Sequence, residues 1–257
     1  MPSLQENRTI PETSIIMPAY NSAPFIREAI DSVLAQTYTK WELVIVDDAS
    51  TDDTAQVVMS YHDERIRYKR NGQNMGAALT RNKAIAMAQG RYIAFLDADD
   101  LWLPEKLEKQ IAFMQSKHIA ISYTPYYILS EGDNTPIRSC PASLNYRQLT
   151  RWNRIGCLTV VYDREQIGDI TLPDIRKRND YALWLTITRK GFTAYRYNEP
   201  LARYRSHNGL TKGNKLAFLK YHYLLFRQVL HYPAIPAAFL ALRNMPYYFI
   251  YRFVDMR

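Results

Sequence analysis

Short apolar runs alternate with amphipathic stretches through the N-terminal part of this chain, and that alternation leaves few folds open. Residues 14–17, 41–46, 65–69 and 92–96 have the length and branching of buried strands. Helical spacing fills the gaps. Residues 24–36 carry Phe25, Ile26, Ile30, Val33 and Leu34 on one face, with Pro24 suited to the first turn. Ser50, Thr51, Asp52 and Asp53 offer caps for a helix through Ser60, and 77–88 reads as a third helix with Gly90 as its C-terminal stop. Strand and helix in this order predict an α/β protein with a doubly wound, mostly parallel sheet.

Three strand ends carry the chemistry. The run Tyr92 to Leu96 stops at Asp97, Asp99 and Asp100; the run 41–46 stops at Asp47 and Asp48; the run 14–17 enters the turn Pro18-Ala19-Tyr20-Asn21. In such a sheet these ends share one edge, where ligands bind. Clustered carboxylates repel one another unless a cation or a hydrogen-bonding ligand sits among them. Oxygen-only donors suit Mg²⁺ or Mn²⁺, which leave positions open for phosphate oxygens. The first expectation is therefore a metal–diphosphate site on Asp97 and Asp99. The competing reading has Asp99 or Asp100 capping the helix that starts near Pro104.

Further along, a helix is expected over 104–116, strands over 119–123 and 158–162, a helix over 179–190 stopped by Gly191, and short strands over 193–197 and 201–204. The Pro-, Ser-, Asn- and Thr-rich stretch between 124 and 157 reads as hairpin and loops. From 216 to 257 apolar and aromatic residues alternate with Lys, Arg and His, in runs too short to span a bilayer. Two readings stand for this tail: an amphipathic segment on an anionic membrane, or helices packed back onto the core. A net charge of +8 implies anionic partners, yet no nucleic-acid module is visible, so nucleic acid is not expected. Cys140 and Cys157 lack metal-ligand spacing and read as ordinary thiols. With no signal peptide or transmembrane run, a cytoplasmic location is expected.

The segments IIMPAYN, SVLAQTYTKWELVIVDDASTDDT and NMGAALTRNKAIAMAQGRYIAFLDADD, followed by RNDYALWLTITRKG and EPLARYRSHNGLT, together resemble a family 2 glycosyltransferase of the GT-A fold, a Rossmann-like architecture. The resemblance covers residues 12–215 and is closest to bacterial O-antigen and capsule polysaccharide enzymes. It implies a GT-A domain over 1–215, with a nucleotide-sugar half (12–103) and an acceptor half (104–215), ahead of a helical tail over 216–257.

Carried onto this sequence, the resemblance implies that Pro18, Ala19, Tyr20 and Asn21 line the nucleoside pocket and that Asp48 accepts a hydrogen bond from a uracil ring NH. Arg81 matches a residue contacting base or diphosphate, Asp97 an acid near the ribose, and Asp99 the direct metal ligand; Asp97 and His207 are the other metal-ligand candidates. Asp100 then assists the site structurally. Asp180 stands where the family places the general base, at a helix start that favours its ionised form. The preceding residue is Asn179, where the family more often has Glu. Strand-end capping for Asp48, a solvated helix arginine for Arg81 and a helix N-terminal acid for Asp180 are the alternatives. Trp184 is expected in the core and Trp102 as a candidate wall for sugar or acceptor.

The activity so implied is an inverting, metal-dependent transfer of a hexose from UDP-glucose or UDP-galactose to an undecaprenyl-diphosphate-linked sugar. The narrower form is a β-1,3 bond to an acetylhexosamine, made peripherally at the inner membrane's cytoplasmic face. A nucleotidyltransferase on a similar sheet would open with a Gly-rich phosphate loop, and Pro18-Ala19-Tyr20-Asn21 stands there instead. The remaining alternatives are a non-catalytic sugar-nucleotide-binding protein, opposed by retention of Asp99 and Asp180, and a transferase using another nucleotide sugar or acceptor.

Overall fold

Apolar residues on both faces of the N-terminal strands force a covered sheet. The structure, a computed structural model, describes residues 10–129, 136–206 and 215–246. Its strands are β1 (Thr13–Ala19), β2 (Trp41–Asp47), β3 (Ile66–Arg70), β4 (Tyr92–Phe95), β5 (Leu101–Trp102), β6 (Ile121–Tyr123), β7 (Tyr126–Leu129), β8 (Ile137–Arg138), β9 (Ser143–Leu144), β10 (Val161–Asp163), β11 (Ala194–Arg196) and β12 (Ala202–Arg205). Its helices are α1 (Ile26–Leu34), α2 (Thr54–Met59), α3 (Ala77–Met87), α4 (Lys106–Ser116), α5 (Tyr146–Leu149), α6 (Arg164–Ile167), α7 (Asn179–Arg189), α8 (Lys215–Leu224) and α9 (Ala234–Arg243).

The main sheet runs β3-β2-β1-β4-β10-β6-β11-β9. Pairings among β3, β2, β1 and β4, and between β6 and β11, are parallel. Along β1, Ile16 enters one core while Ile15, Met17 and Ala19 enter the other, the period-2 alternation of a strand buried on both sides. Ala84 of α3 and Trp184 of α7 fill the first core; Ile30 of α1 and Ile111 of α4 fill the second.

The strand expected over 158–162 differs from its sequence reading. Cys157–Thr159 is a 3-10 turn, and β10 starts at Val161 and runs antiparallel to both β4 and β6. Its far end explains the direction: Asp163 meets Arg91, just ahead of β4, with Nη2 donating to Oδ2 at 2.7 Å. Gly90 also has a different role from a helix stop. Helix α3 ends at Met87 with Ala88 extended. A Cβ on Gly90 would fall 2.7 Å from the Ser14 amide nitrogen, so the glycine lets the chain lie against β1. Gly191 does follow α7 with a left-handed φ of 102°.

The strand expected over 201–204 forms as β12 but in a second sheet, β5-β12-β7-β8. Because β12 pairs with β5, directly after the Asp97–Asp100 turn, residues distant in sequence reach the acidic loop. Helix α7 is buried almost all round, at Tyr181, Ala182, Leu183, Trp184, Leu185 and Ile187 among others, and such a helix needs cover on every side. Helices α8 and α9, with the π-helical turn Leu225–Val229 between them, supply it. Leu225, Phe226, Leu230 and Ala237 join the core that holds Trp184, and His222 packs against Tyr181 with ring centroids 6.1 Å apart. Of the two readings of the tail, packing onto the core describes 215–246; residues 247–257 lie outside the described residues. Nothing among the described residues forms a helix long and apolar enough to cross a membrane.

Candidate active site

At the carboxyl ends of β1, β2 and β4 opens a crevice of about 950 Å³, within the range of small-molecule sites. Pro18, Ala19, Tyr20, Asn21, Asp48, Arg81, Asp97 and Asp99 all line it. The strand-end convergence read from the sequence is thus present. Met75, Gly76, Phe25 and Arg176 line it as well.

The Pro18-Ala19-Tyr20-Asn21 turn is stitched to the loop after β2. Asn21 is left-handed, with φ 48°. Its amide donates to Ser50 Oγ (3.0 Å), and its Oδ1 accepts from the Thr51 amide (2.8 Å). The Asn21 side chain is therefore engaged in shaping the pocket wall. Tyr20 is half exposed and open to the crevice.

Asp47 and Asp48 divide their roles. Asp47 is fully buried and serves the loop, accepting from Tyr68 Oη and the Ser50 amide, each at 2.8 Å. Asp48 accepts from Asn71 Nδ2 (2.9 Å), the Met75 amide (2.8 Å) and the Gly76 amide (2.7 Å). Burial alone would raise its pKa, but these donors hold it below the ordinary aspartate value. Thr80 adds a further side-chain hydrogen bond, so the protein's own donors engage most of the acceptor positions that this carboxylate offers. The Met75-Gly76 contribution had one signal in the sequence: a glycine at a strand-to-helix turn, here with φ 86°.

Arg81 is nearly buried, forms a short ion pair with Asp97, and donates Nη1 to Asn179 Oδ1 at 3.0 Å. Burial opposes its charge, yet Asp97 outweighs that and keeps the guanidinium protonated. Arg81 is thus a bridge between β4 and α7, and neither a solvated helix arginine nor a free ligand contact.

Asp97 and Asp99 are partly exposed, while Asp100 is buried. Helix α4 has no side-chain cap, which removes the capping reading of the acids. Asp100 instead accepts from the Arg205 amide (2.9 Å), and Arg205 Nε donates to the Asp99 carbonyl (3.0 Å). Burial, then the charges of Asp97 and Asp99, push Asp100 well above the ordinary aspartate pKa. Arg205 also reaches Glu28 at 2.8 Å and lies over the Phe25 ring. No local pattern marks this arginine; only the β12–β5 pairing brings it here. Trp102 is not a sugar wall: it is 3% exposed and donates Nε1 to the Leu158 carbonyl at 2.8 Å. Trp184 is fully buried in the core, as its helical spacing predicts.

Asp180 sits in the first turn of α7, next to Asn179 and outside the crevice wall proper. Burial raises its pKa; Arg81, the Tyr181 amide and Arg178 oppose that without cancelling it. The expected helix N-terminal preference for the ionised form is therefore outweighed. The result is a carboxylate more basic than an ordinary aspartate, the direction a proton acceptor needs. His207 lies outside the described residues.

The donor set fits a hard divalent cation. Asp97 and Asp99 bring carboxylate oxygens to one crevice. Among the described residues no group of three or more His, Cys, Asp or Glu side chains forms a ready cage. That matches an ion held by one or two carboxylates and completed by substrate phosphate oxygens.

Residues 14–167 match the family described as Glycosyl transferase family 2. The chain is 45% identical over 224 residues to a putative teichuronic acid biosynthesis glycosyltransferase, TuaG, of Bacillus subtilis, covering 85% of this chain and 88% of that one. It is 42% identical over 202 residues to the Escherichia coli UDP-Glc:alpha-D-GlcNAc-diphosphoundecaprenol beta-1,3-glucosyltransferase WfaP, covering 79% and 80% respectively. Among solved structures, S. aureus TarS 1-349 in complex with UDP superposes with a TM-score of 0.67 at 20% identity, over 91% of this chain and 70% of that one. That likeness establishes a GT-A fold.

Proposed function

The chain belongs to glycosyl transferase family 2, and from that membership we propose that it moves a hexose from a UDP-sugar, UDP-glucose first, onto a lipid-diphosphate-linked acetylhexosamine. The observation that carries the reading is the convergence of Asp48, Asp97 and Asp99 on one crevice, with Arg81 joining that crevice to the helix of Asp180. The similarity to WfaP supports the donor, the acceptor and a β-1,3 linkage.

In this reading the uracil ring NH donates to Asp48, and Tyr20 lies along the base. Asp99, with Asp97 beside it, holds Mn²⁺ or Mg²⁺. When bound, the ion supplies positive charge against the diphosphate that leaves. Asp180 accepts the proton of the acceptor hydroxyl as its oxygen attacks the anomeric carbon. The bond from that carbon to the diphosphate oxygen breaks, UDP departs with the bonding pair, and an α-linked donor yields a β product. Burial makes the Asp180 carboxylate more basic than an ordinary aspartate, the direction this step needs.

Contact with the lipid surface falls on α9. Ile235, Phe239 and Leu242 recur at helical spacing on one stripe and are 84%, 64% and 57% exposed. Opposite them Ala237 and Ala241 are buried. The inner side of α9 packs on the core, and its exposed stripe is the side offered to the membrane in this reading.

Incubation with UDP-glucose, UDP-galactose or a GDP-sugar, with Mn²⁺ and a synthetic acetylhexosamine-diphosphate lipid, tests this reading. The expected product gains one hexose from UDP-glucose, with β anomeric coupling by NMR, and Asp180→Asn abolishes it. Transfer only from a GDP-sugar, or UDP binding without transfer to any lipid-linked sugar, would overturn it.

A further inference from the structure

An acceptor whose sugar rides on a lipid diphosphate brings a second set of phosphate charges to the site, distinct from those of the donor. The arginines deep in the site are already engaged: Arg81 with Asp97 and Asn179, Arg205 with Glu28 and the Asp99 carbonyl. The segment leading into the base helix differs. Arg176, Lys177 and Arg178 follow one another immediately before α7. Arg176 is exposed at the crevice rim and makes no hydrogen bond or ion pair among the described residues. Lys177 is exposed too, its Nζ 5.9 Å from the centre of the Tyr221 ring.

Arg178 differs from its two neighbours. It adopts a left-handed φ of 65°, and its guanidinium lies 4.6 Å from the Phe218 ring centre. A left-handed non-glycine residue persists only where its surroundings hold it, and here α8 supplies the aromatic surface. Arg178 thus anchors the turn that carries Arg176 to the rim, with the exposed Lys177 next to it in sequence. Asp174, exposed and two residues before Arg176, lines the same rim.

We propose that Arg176 and Lys177 form a subsite for the diphosphate of the acceptor, a proposal that rests on the acceptor class read above. From Arg176 to Asp180 the chain reaches at most roughly 14 Å. That is the scale needed to hold the two ends of one sugar diphosphate: hydroxyl at the base, phosphates at the rim. Arg presents a planar fork to phosphate oxygens and Lys a mobile point charge, the usual pairing for a diphosphate. Arg178 acts as a positioning residue. The subsite makes acceptor choice depend on the charged linkage as well as on the sugar.

The test compares two acceptors carrying the same acetylhexosamine, one on a diphosphate lipid and one on a neutral alkyl chain. Wild-type protein should favour the diphosphate acceptor. Arg176→Ala and Lys177→Ala should each raise KM for it by about tenfold, with KM for UDP-glucose and for the neutral acceptor unchanged; Arg176→Lys should restore most of the loss. An equal loss on both acceptors, or a rise in the KM for UDP-glucose, would overturn the subsite, the latter by assigning these cations to the donor. Should wild-type protein hydrolyse UDP-glucose yet glycosylate neither acceptor, the acceptor reading itself falls, and the subsite with it.

Discussion

Arg81 Nη1 lies 3.0 Å from Asn179 Oδ1, although 98 positions of sequence separate the two residues. The same guanidinium is paired with Asp97. One buried cation therefore ties the acidic end of β4 to the first residue of the base helix. It also accounts for the asparagine before Asp180. A neutral acceptor suffices to orient Arg81, whose charge is already balanced by Asp97.

Replacing Arg81 by methionine should damage stability and chemistry together. It leaves Asp97 and Asn179 without their partner in a largely buried place, a loss on the order of 3 kcal/mol. Urea denaturation should show that loss, and kcat should fall at saturating donor because Asp180 loses its alignment. A variant of unchanged kcat would show that the bridge is only structural.

Asp180→Asn should separate stability from activity. The folded carboxyl has a pKa raised above its unfolded value, so its favourable contribution is present at acid pH and is lost as pH rises through the raised value. Removing the charge should therefore raise the Tm at pH 7 while lowering kcat by at least about a hundredfold. In wild-type protein the acid limb of the kcat–pH profile should lie above the ordinary aspartate range, since protonated Asp180 cannot accept the hydroxyl proton. A flat profile down to that range would remove Asp180 from the role of base.

Arg205→Ala removes the guanidinium that holds the Asp99 carbonyl, while the backbone amide of residue 205 still donates to the Asp100 carboxylate. Residues that hold a ligating carboxylate in place commonly carry about ten- to a hundredfold in metal affinity. The Mn²⁺ concentration giving half-maximal activity should rise within that range, with the far-UV circular dichroism unchanged. An unaltered metal requirement would contradict Asp99 as the metal-holding residue.

Lys106 offers a pH effect of its own. Its Nζ is fully buried, 3.0 Å from Gln110 Oε1 and 4.1 Å from the centre of the Trp102 ring. Burial lowers its pKa to about 7. Between that value and the ordinary lysine range the unfolded chain holds a proton that the folded chain has lost, so stability from this group rises with pH. The slope reaches at most about 1.4 kcal/mol per pH unit. Chemical denaturation at pH 7 and pH 9 should show a gain in the wild type that Lys106→Met flattens.

The N-terminal half was readable because its signals are local. The continuous apolar run of β1 and the apolar face of α1 are patterns local in sequence, and the crevice follows from where the strands end. Other features depended on pairings that leave no periodic trace. The reversal of β10 is set by Asp163 meeting Arg91, and the recruitment of Arg205 by β12 lying beside β5. Trp102 misled for a related reason: an aromatic residue beside three acids reads as a binding wall, whereas its indole NH is committed to the Leu158 carbonyl inside. Asn21 was rightly placed at the crevice, but its side chain turned out to bond the Thr51 amide.

The burial of α7 beneath α8 and α9 has a bearing on how acceptor preference can be moved between relatives. A recombinant that takes its donor half from this chain and its base helix from another must import the C-terminal helices along with it. Trp184, Phe226 and Ala237 belong to one core, and a foreign α7 would meet a cover shaped for different side chains. The natural unit of exchange therefore runs from the loop bearing Arg176 to at least Asn244, which donates to the Thr150 carbonyl at 3.1 Å. Inheritance of a new acceptor and inheritance of the exposed apolar stripe on α9 would then travel as one block.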